Sequence, residues 1–371
     1  MKPFSIPITP DADGLLRCIR RQGEPKRVHF LDLYLDPEIQ EAICSRYGAL
    51  DGLRPDEPQY ELRKQIRLQS FLGYDYVRCG LDGLEMPMNM LAADDTAQMG
   101  HARGREFENE HAGPIMNWEQ FEKYPWPEPA KASSESLEWL NRNLPENMCI
   151  IGSSGYASGI GFGRFFKSLS SLMGYEPLCF ALFEQRDLVK AIVQKLVDVY
   201  RGVLERLLQF DRVKLVLAND DMGFKTATLI GPADLRQYIL PWHKKLAALA
   251  HEQGWLYLLH SCGNLDDIME DLIDDVGIDA RHSFEDEGNS VFEFKKKYGK
   301  RVTILGGVDV DKLCRLPEPE LRRHVRKVLD ACMPGGRFCL GSGNSVANYV
   351  PMANYLAMVE EGFRYGREKG W

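Results

Sequence analysis

Beyond about residue 213 the chain alternates short, almost continuously apolar runs with longer stretches in which apolar positions recur every three or four residues. The first pattern suits a strand buried on both faces, and the second an amphipathic helix laid over it. The runs are VKLVLAND (213–220), LYLLHSC (256–262), IDARHSF (278–284), VTILGGVD (302–309) and RFCLGSG (337–343). The stretches between them close on Gly, the residue that ends helices in a left-handed turn. In one of them Ile268, Leu272, Ile273 and Val276 share a helical face, with acidic residues on the other. Five successive β/α units, the pattern of a parallel sheet, are therefore predicted.

In the front half, YDYVRCG (74–80) and MCIIGSSG (148–155) read as two further strands, and another is expected near residue 180. Seven or eight parallel strands at this spacing predict an α/β fold closed into a (β/α)8 TIM barrel, with an open doubly wound sheet as the alternative. Residues 1–65 read as a polar, N-terminal helical extension and 66–371 as the barrel. The stretch 83–130, rich in Gly, His, Asn and aromatics, is too long for a simple connection and reads as a lid-like excursion.

The 371-residue length supports a sizeable core, and the charge balance narrows the partners. With 46 Lys+Arg against 54 Asp+Glu the net charge is -8, and no basic block tracks a phosphate backbone, so nucleic acid is not an expected partner. No run is long and apolar enough for a membrane helix, and MKPFSIPITPDADG lacks a signal core, so a cytoplasmic protein is expected. Nine Cys without repeated spacing do not form a disulfide framework.

In parallel β/α folds the chemistry sits at the carboxyl ends of the strands. Here those ends are polar throughout: Asp220 and Asp221; His260 and Cys262; His282 followed by Glu285; Asp309; and Asn344 just after RFCLGSG. Residues two apart on a strand face the same side, so His260 and Cys262 can share one metal ion. Asp221, His282 and Glu285 are the candidates for a third ligand. Each residue also has a structural reading: a helix cap for the Asp220–Asp221 pair, a satisfied core imidazole for His282, a plain turn for Asn344. The GxGxG within GYASGIGFGRFF (155–166) is not followed by a cleanly capped helix and does not make a convincing dinucleotide fingerprint.

The order LANDDMGFKT, LPWHKKLAALAHEQGWLYLLHSCGNL, GIDARHSFED, FKKKYGKRVTILGGVDVDKL and GGRFCLGSGNSVANYVPMANYLAMVEEG resembles the uroporphyrinogen decarboxylase superfamily. The likeness is good over residues 200–370 and loose before that. It implies a (β/α)8 barrel and one of two activities: cofactor-free decarboxylation of a tetrapyrrole, or zinc-dependent exchange of a methyl group with a corrinoid protein. The decarboxylases carry an Arg-rich RQAGRY signature, where this chain reads LLRCIRRQGEPKRVHF, with Arg17, Arg20 and Arg21. The methyltransferases carry a His-x-Cys pair and a later Cys. His260 and Cys262 match the pair, while Asn344 stands at the later position.

The first expectation is thus a methyltransferase with zinc on His260, Cys262 and one acidic or imidazole ligand, and with a corrinoid carried by a partner protein. Asp220, Asp221, His282 and Glu285 are its candidate catalytic residues; Arg78, Arg164, Arg281, Asp309 and Asn344 are its candidate substrate contacts. The alternative is a metal-free decarboxylase of uroporphyrinogen or a smaller carboxylated substrate. There Arg78, Arg164, Lys225 and Arg281 hold carboxylates, and Asp220 or Asp221 stabilises a cationic intermediate. A barrel that only binds a corrinoid or a partner is the non-catalytic reading. A homodimer is compatible with either activity.

Overall fold

The computed structural model describes residues 8–95, 97, 99, 104–153 and 161–371. Its centre is a curled, wholly parallel sheet of seven strands in sequence order: β1 (Tyr76–Cys79), β4 (Cys149–Gly152), β5 (Val213–Asn219), β6 (Leu256–His260), β7 (Ala280–His282), β8 (Thr303–Val308) and β9 (Phe338–Ser342). A separate antiparallel hairpin, β2 (Met90–Ala93) and β3 (Arg105–Glu108), stands apart from it within the excursion after β1. Strands β4, β6, β7, β8 and β9 are buried along their whole length, because helices cover one face and the barrel interior the other. All five units read beyond residue 213 are present, as are the two strands read before it.

Two expectations need correction. The segment near residue 180 is the helix Tyr175–Glu184, which packs Leu178, Ala181 and Leu182 inward. The eighth stave comes instead from the N-terminal region. Around its helices Ala12–Ile19, Pro37–Tyr47 and Tyr60–Leu72 runs the segment 28–35 (VHFLDLYL), buried except for Tyr34. Parallel bridges Phe30 to Leu340 and Leu35 to Val346 tie this segment to β9. On the β1 side the contacts are side chains: Tyr76 and Arg78 both donate to the Asp32 carbonyl. The sheet is therefore a seven-stranded half-barrel with its gap filled by a segment bonded through the backbone to β9, and a complete eight-stranded hydrogen-bonded barrel is not formed among the described residues.

The register places the strand ends in one row, with Asn219 beside His260, His260 beside His282 and His282 beside Leu305. Of the predicted helical face, Ile268, Leu272 and Val276 are buried and Ile273 is half-buried. Residues 154–160, which hold part of the GxGxG run, lie outside the described residues. No helix among the described residues is long and apolar enough to cross a membrane.

Candidate metal centre at the barrel mouth

Three side chains from two neighbouring strand ends converge. His260, the last residue of β6, and Cys262, two residues on, face the same side, with Sγ 3.5 Å from Nε2. Asp221, two residues beyond β5, brings Oδ1 to 3.3 Å from His260 Nε2. That carboxylate is fixed by the backbone N–H of Cys262, 3.0 Å from Oδ1. All three ligand atoms lie within 4.8 Å of one another. Ligands at zinc bond lengths in a tetrahedron stand about 3.3–3.8 Å apart, so the two distances above already have the required spacing.

The orientation of His260 is set from behind. His282 Nε2 lies 3.1 Å from the Ser342 carbonyl, an acceptor only, so Nε2 carries the proton. His282 is buried, which together with the charge of His260 drives its pKa well below the usual range and keeps it neutral. Its Nδ1 must then accept, and the 2.7 Å contact between the two Nδ1 atoms has His260 as donor. That leaves His260 Nε2 facing Asp221 and Cys262, the arrangement by which an outer partner aims a metal-binding imidazole. Gly306 on β8 makes room: a Cβ there would lie 2.4 Å from the Ser342 carbonyl and 2.9 Å from His282 Nε2. Gly306 thus clears the way for this bond.

Electrostatics agree with the geometry. Burial opposes charge on His260, but hydrogen bonds and charge from Asp221 and Cys262 outweigh it and hold the imidazole pKa up at about 9. Burial likewise opposes charge on Asp221, yet His260 and the Cys262 amide hold its carboxyl well below the usual range. The site prefers carboxylate and imidazolium to two neutral groups, and a divalent cation can take the place of the imidazolium proton.

The three residues line a cavity of about 630 Å³, shared with Asp32, Arg78, Arg164, Asn219 and Asn344. Asn344 donates from Nδ2 to Cys262 Sγ at 3.3 Å. Arg78 donates to the Asp32 carbonyl and has no carboxylate partner among the described residues. Arg164 approaches Glu108 of β3 at 3.7 Å. Of the open candidates for a third ligand, the structure brings Asp221 to the pair and places His282 behind it. Glu285 sits in the loop after β7, its backbone bridged to Asn289, outside this cavity.

The other sequence candidates are placed elsewhere. Asp220 is fully buried and accepts from the N–H groups of Phe166 and Lys167 at 3.0 and 2.7 Å and from His243 Nε2 at 2.9 Å. It caps the helix Phe165–Met173 from a distant part of the chain, which is why no local cap was visible. Asp309 caps Val310–Arg315 through the Lys312 N–H at 3.2 Å. Arg281 points to the outer side of β7, between Phe284 and Phe294, and donates to the Gly263 carbonyl at 3.0 Å. Lys225 is exposed.

Two contributors went unnoticed in the sequence. Ser283 donates to Cys262 Sγ at 3.6 Å. Asp32 lines the cavity from the eighth stave; burial pushes its pKa up to about 6, against hydrogen bonds from Tyr74 and the Ser342 N–H. The alternation in VHFLDLYL was the signal for Asp32; for Ser283 the sequence held none.

A curled, half-barrel parallel sheet with a polar strand-end cavity defines a barrel-like α/β protein of the kind that places its chemistry at the carboxyl ends of its strands. The uroporphyrinogen decarboxylase (URO-D) family profile matches residues 76–365, and the chain belongs to that family. Among solved structures, a methyltransferase from Methanosarcina mazei is similar in fold, with a TM-score of 0.66, 15% identity, and coverage of 95% of this chain and 98% of that one. A putative vitamin-B12 independent methionine synthase from Listeria monocytogenes gives a TM-score of 0.42 at 12% identity, covering 93% and 96%. No curated protein sequence matches the chain.

Proposed function

We propose that the protein is a zinc-dependent methyltransferase, moving a methyl group between a small molecule and the corrinoid of a partner protein. The observation that carries this reading is the convergence of Asp221 Oδ1, His260 Nε2 and Cys262 Sγ, three unlike ligand atoms within 4.8 Å, on the wall of an open cavity. Three protein ligands and one position open to substrate are the arrangement of catalytic zinc sites. The fold likeness to a methyltransferase supports the choice of reaction.

The residues divide the work. Asp221, His260 and Cys262 would hold the metal, with the tautomer of His260 fixed by His282. A bound zinc would supply Lewis acidity at the open position, or lower the pKa of a thiol bound there. Arg78, unpaired with any described carboxylate, would receive an anionic group of the substrate. The wall from Asp32 to Tyr34 would exclude water from that end of the cavity.

Metal analysis after zinc-replete expression tests the reading. One zinc per chain in the unaltered protein, and loss of it in His260→Ala, is expected; a metal-free unaltered protein overturns it. Formation of methylcobalamin from a reduced corrinoid and a methyl donor tests the reaction. The presence of both Arg78 and Arg164 in the cavity favours, as second reading, a decarboxylase acting on a carboxylated substrate. Coproporphyrinogen formed from uroporphyrinogen by metal-free protein would establish that reading and remove the first.

A further inference from the structure

Asn344 lines the same cavity as the candidate ligands, and it is not among the atoms that converge on the candidate metal position. On the zinc reading above, we propose that Asn344 and Ser283 are positioning residues for the Cys262 sulfur. They hold it with two hydrogen bonds from two other strand ends.

The amide of Asn344 is oriented by its own neighbour. Its Oδ1 accepts the Ser345 N–H at 2.8 Å, which turns Nδ2 toward the sulfur at 3.3 Å. Its backbone N–H is held by Ser342 Oγ at 3.2 Å. Oxygen and nitrogen are therefore distinguished by their partners, and the amide meets Cys262 as a donor.

Ser283 reaches the sulfur through a conformation that serine rarely adopts, with φ at +101°. Bonds on either side impose it. Its carbonyl accepts from Asn289 Nδ2 at 2.8 Å, and the next N–H, of Phe284, donates to the Gly343 carbonyl at 3.0 Å. Glycine would meet this backbone requirement more cheaply, so a serine here points to a use for its hydroxyl, and that hydroxyl lies buried 3.6 Å from Sγ. Residues kept in such conformations cluster where function needs a side chain aimed.

Two donors on one thiolate draw electron density from it, as hydrogen bonds to an ionised acceptor do. The ligand set offers one imidazole, one hard carboxylate oxygen and one soft sulfur, and the sulfur is damped. Such a set leaves the metal a stronger Lewis acid toward oxygen or nitrogen ligands than two free thiolates would.

Cobalt(II) substitution reads the sulfur directly, through its sulfur-to-metal charge-transfer band. Ser283→Gly and Asn344→Ala should each move that band to longer wavelength and weaken cobalt binding by about tenfold or more, the range typical of outer-sphere partners. Ser283→Gly suits the backbone and keeps the test independent of misfolding. A band present in the unaltered protein and unmoved in both variants overturns this inference alone. A band absent from the unaltered protein overturns the zinc reading and the inference with it.

Discussion

The barrel carries a sealed His–Asp pair at its amino end and another on the wall of the cavity at its carboxyl end, and the two do different things. At the amino end His29 Nδ1 meets Asp75 Oδ2 at 2.7 Å, and Asp75 Oδ1 accepts the Asp11 N–H at 2.7 Å with Arg27 nearby at 3.5 Å. Both side chains are sealed, at 1% and 0% exposure. At the carboxyl end His260 and Asp221 are 3.3 Å apart, but Asp221 is one-third exposed and the pair lines a cavity together with Cys262. Burial and pairing alone therefore do not make a site. What makes one is a set of ligand atoms whose remaining valences point at a common space.

This contrast can be broken by exchanging damage between the ends. Asp75→Ala leaves a buried imidazole and a backbone N–H without their acceptor, and should cost about 3–5 kcal/mol of stability, as loss of one partner of a buried pair does. Its zinc content per folded chain should be unchanged, measured by denaturant unfolding beside metal analysis. His260→Ala should do the reverse, with zinc affinity down by at least about a hundredfold and a smaller loss of metal-free stability. Equal effects on both readouts at both ends would remove the distinction.

A third carboxylate, Asp32, lies between these extremes and sharpens the comparison through pH. Its folded pKa is raised to about 6, above the unfolded value, because burial penalises the anion. The folded state therefore holds the proton more tightly, and the carboxyl lowers stability progressively as pH rises from about 4 to 6. Asp32→Asn carries no such titration. Its stability relative to the unaltered protein should rise across that interval by on the order of 3 kcal/mol and then stay level. A difference independent of pH would show that Asp32 is not held protonated by its surroundings.

Much of this was legible in the sequence because sheet and strand end obey local rules. Continuous apolar runs announced β5 to β9, and the spacing in His260-Ser261-Cys262 put imidazole and thiol on one side. Asp221 stood among the third-ligand candidates, but that it meets the pair, rather than His282 or Glu285, was not legible. Adjacent residues on an extended chain face opposite ways, and which of Asp220 and Asp221 turns to the cavity depends on the helix Phe165–Met173 needing a cap from 53 residues away. The eighth stave was missed for a related reason: VHFLDLYL sits among three helices, and a polar neighbourhood outweighed its own alternation. Arg281 shows the same limit, since the side of β7 it occupies follows from the register with β6 and β8.

The smallest expected effect is the most diagnostic, because its sign differs between the two readouts. At Ser283 the positive φ costs of order 1–3 kcal/mol, which glycine would recover. Against that, glycine loosens the unfolded chain by about 0.4–1 kcal/mol and gives up the bond to Cys262. The balance predicts that metal-free Ser283→Gly is as stable as the unaltered protein or more so, by up to about 1 kcal/mol in urea unfolding. The metal-loaded variant should gain less stability from zinc, because ligand binding adds stability in proportion to the logarithm of affinity, and a tenfold weaker site forfeits about 1.4 kcal/mol. A residue kept only for the fold would lose stability in both states when replaced. One kept to aim a hydroxyl at sulfur gains without the metal and loses with it, and that crossing of signs separates the strain that serves the candidate centre from the satisfied bonding at the opposite end of the barrel.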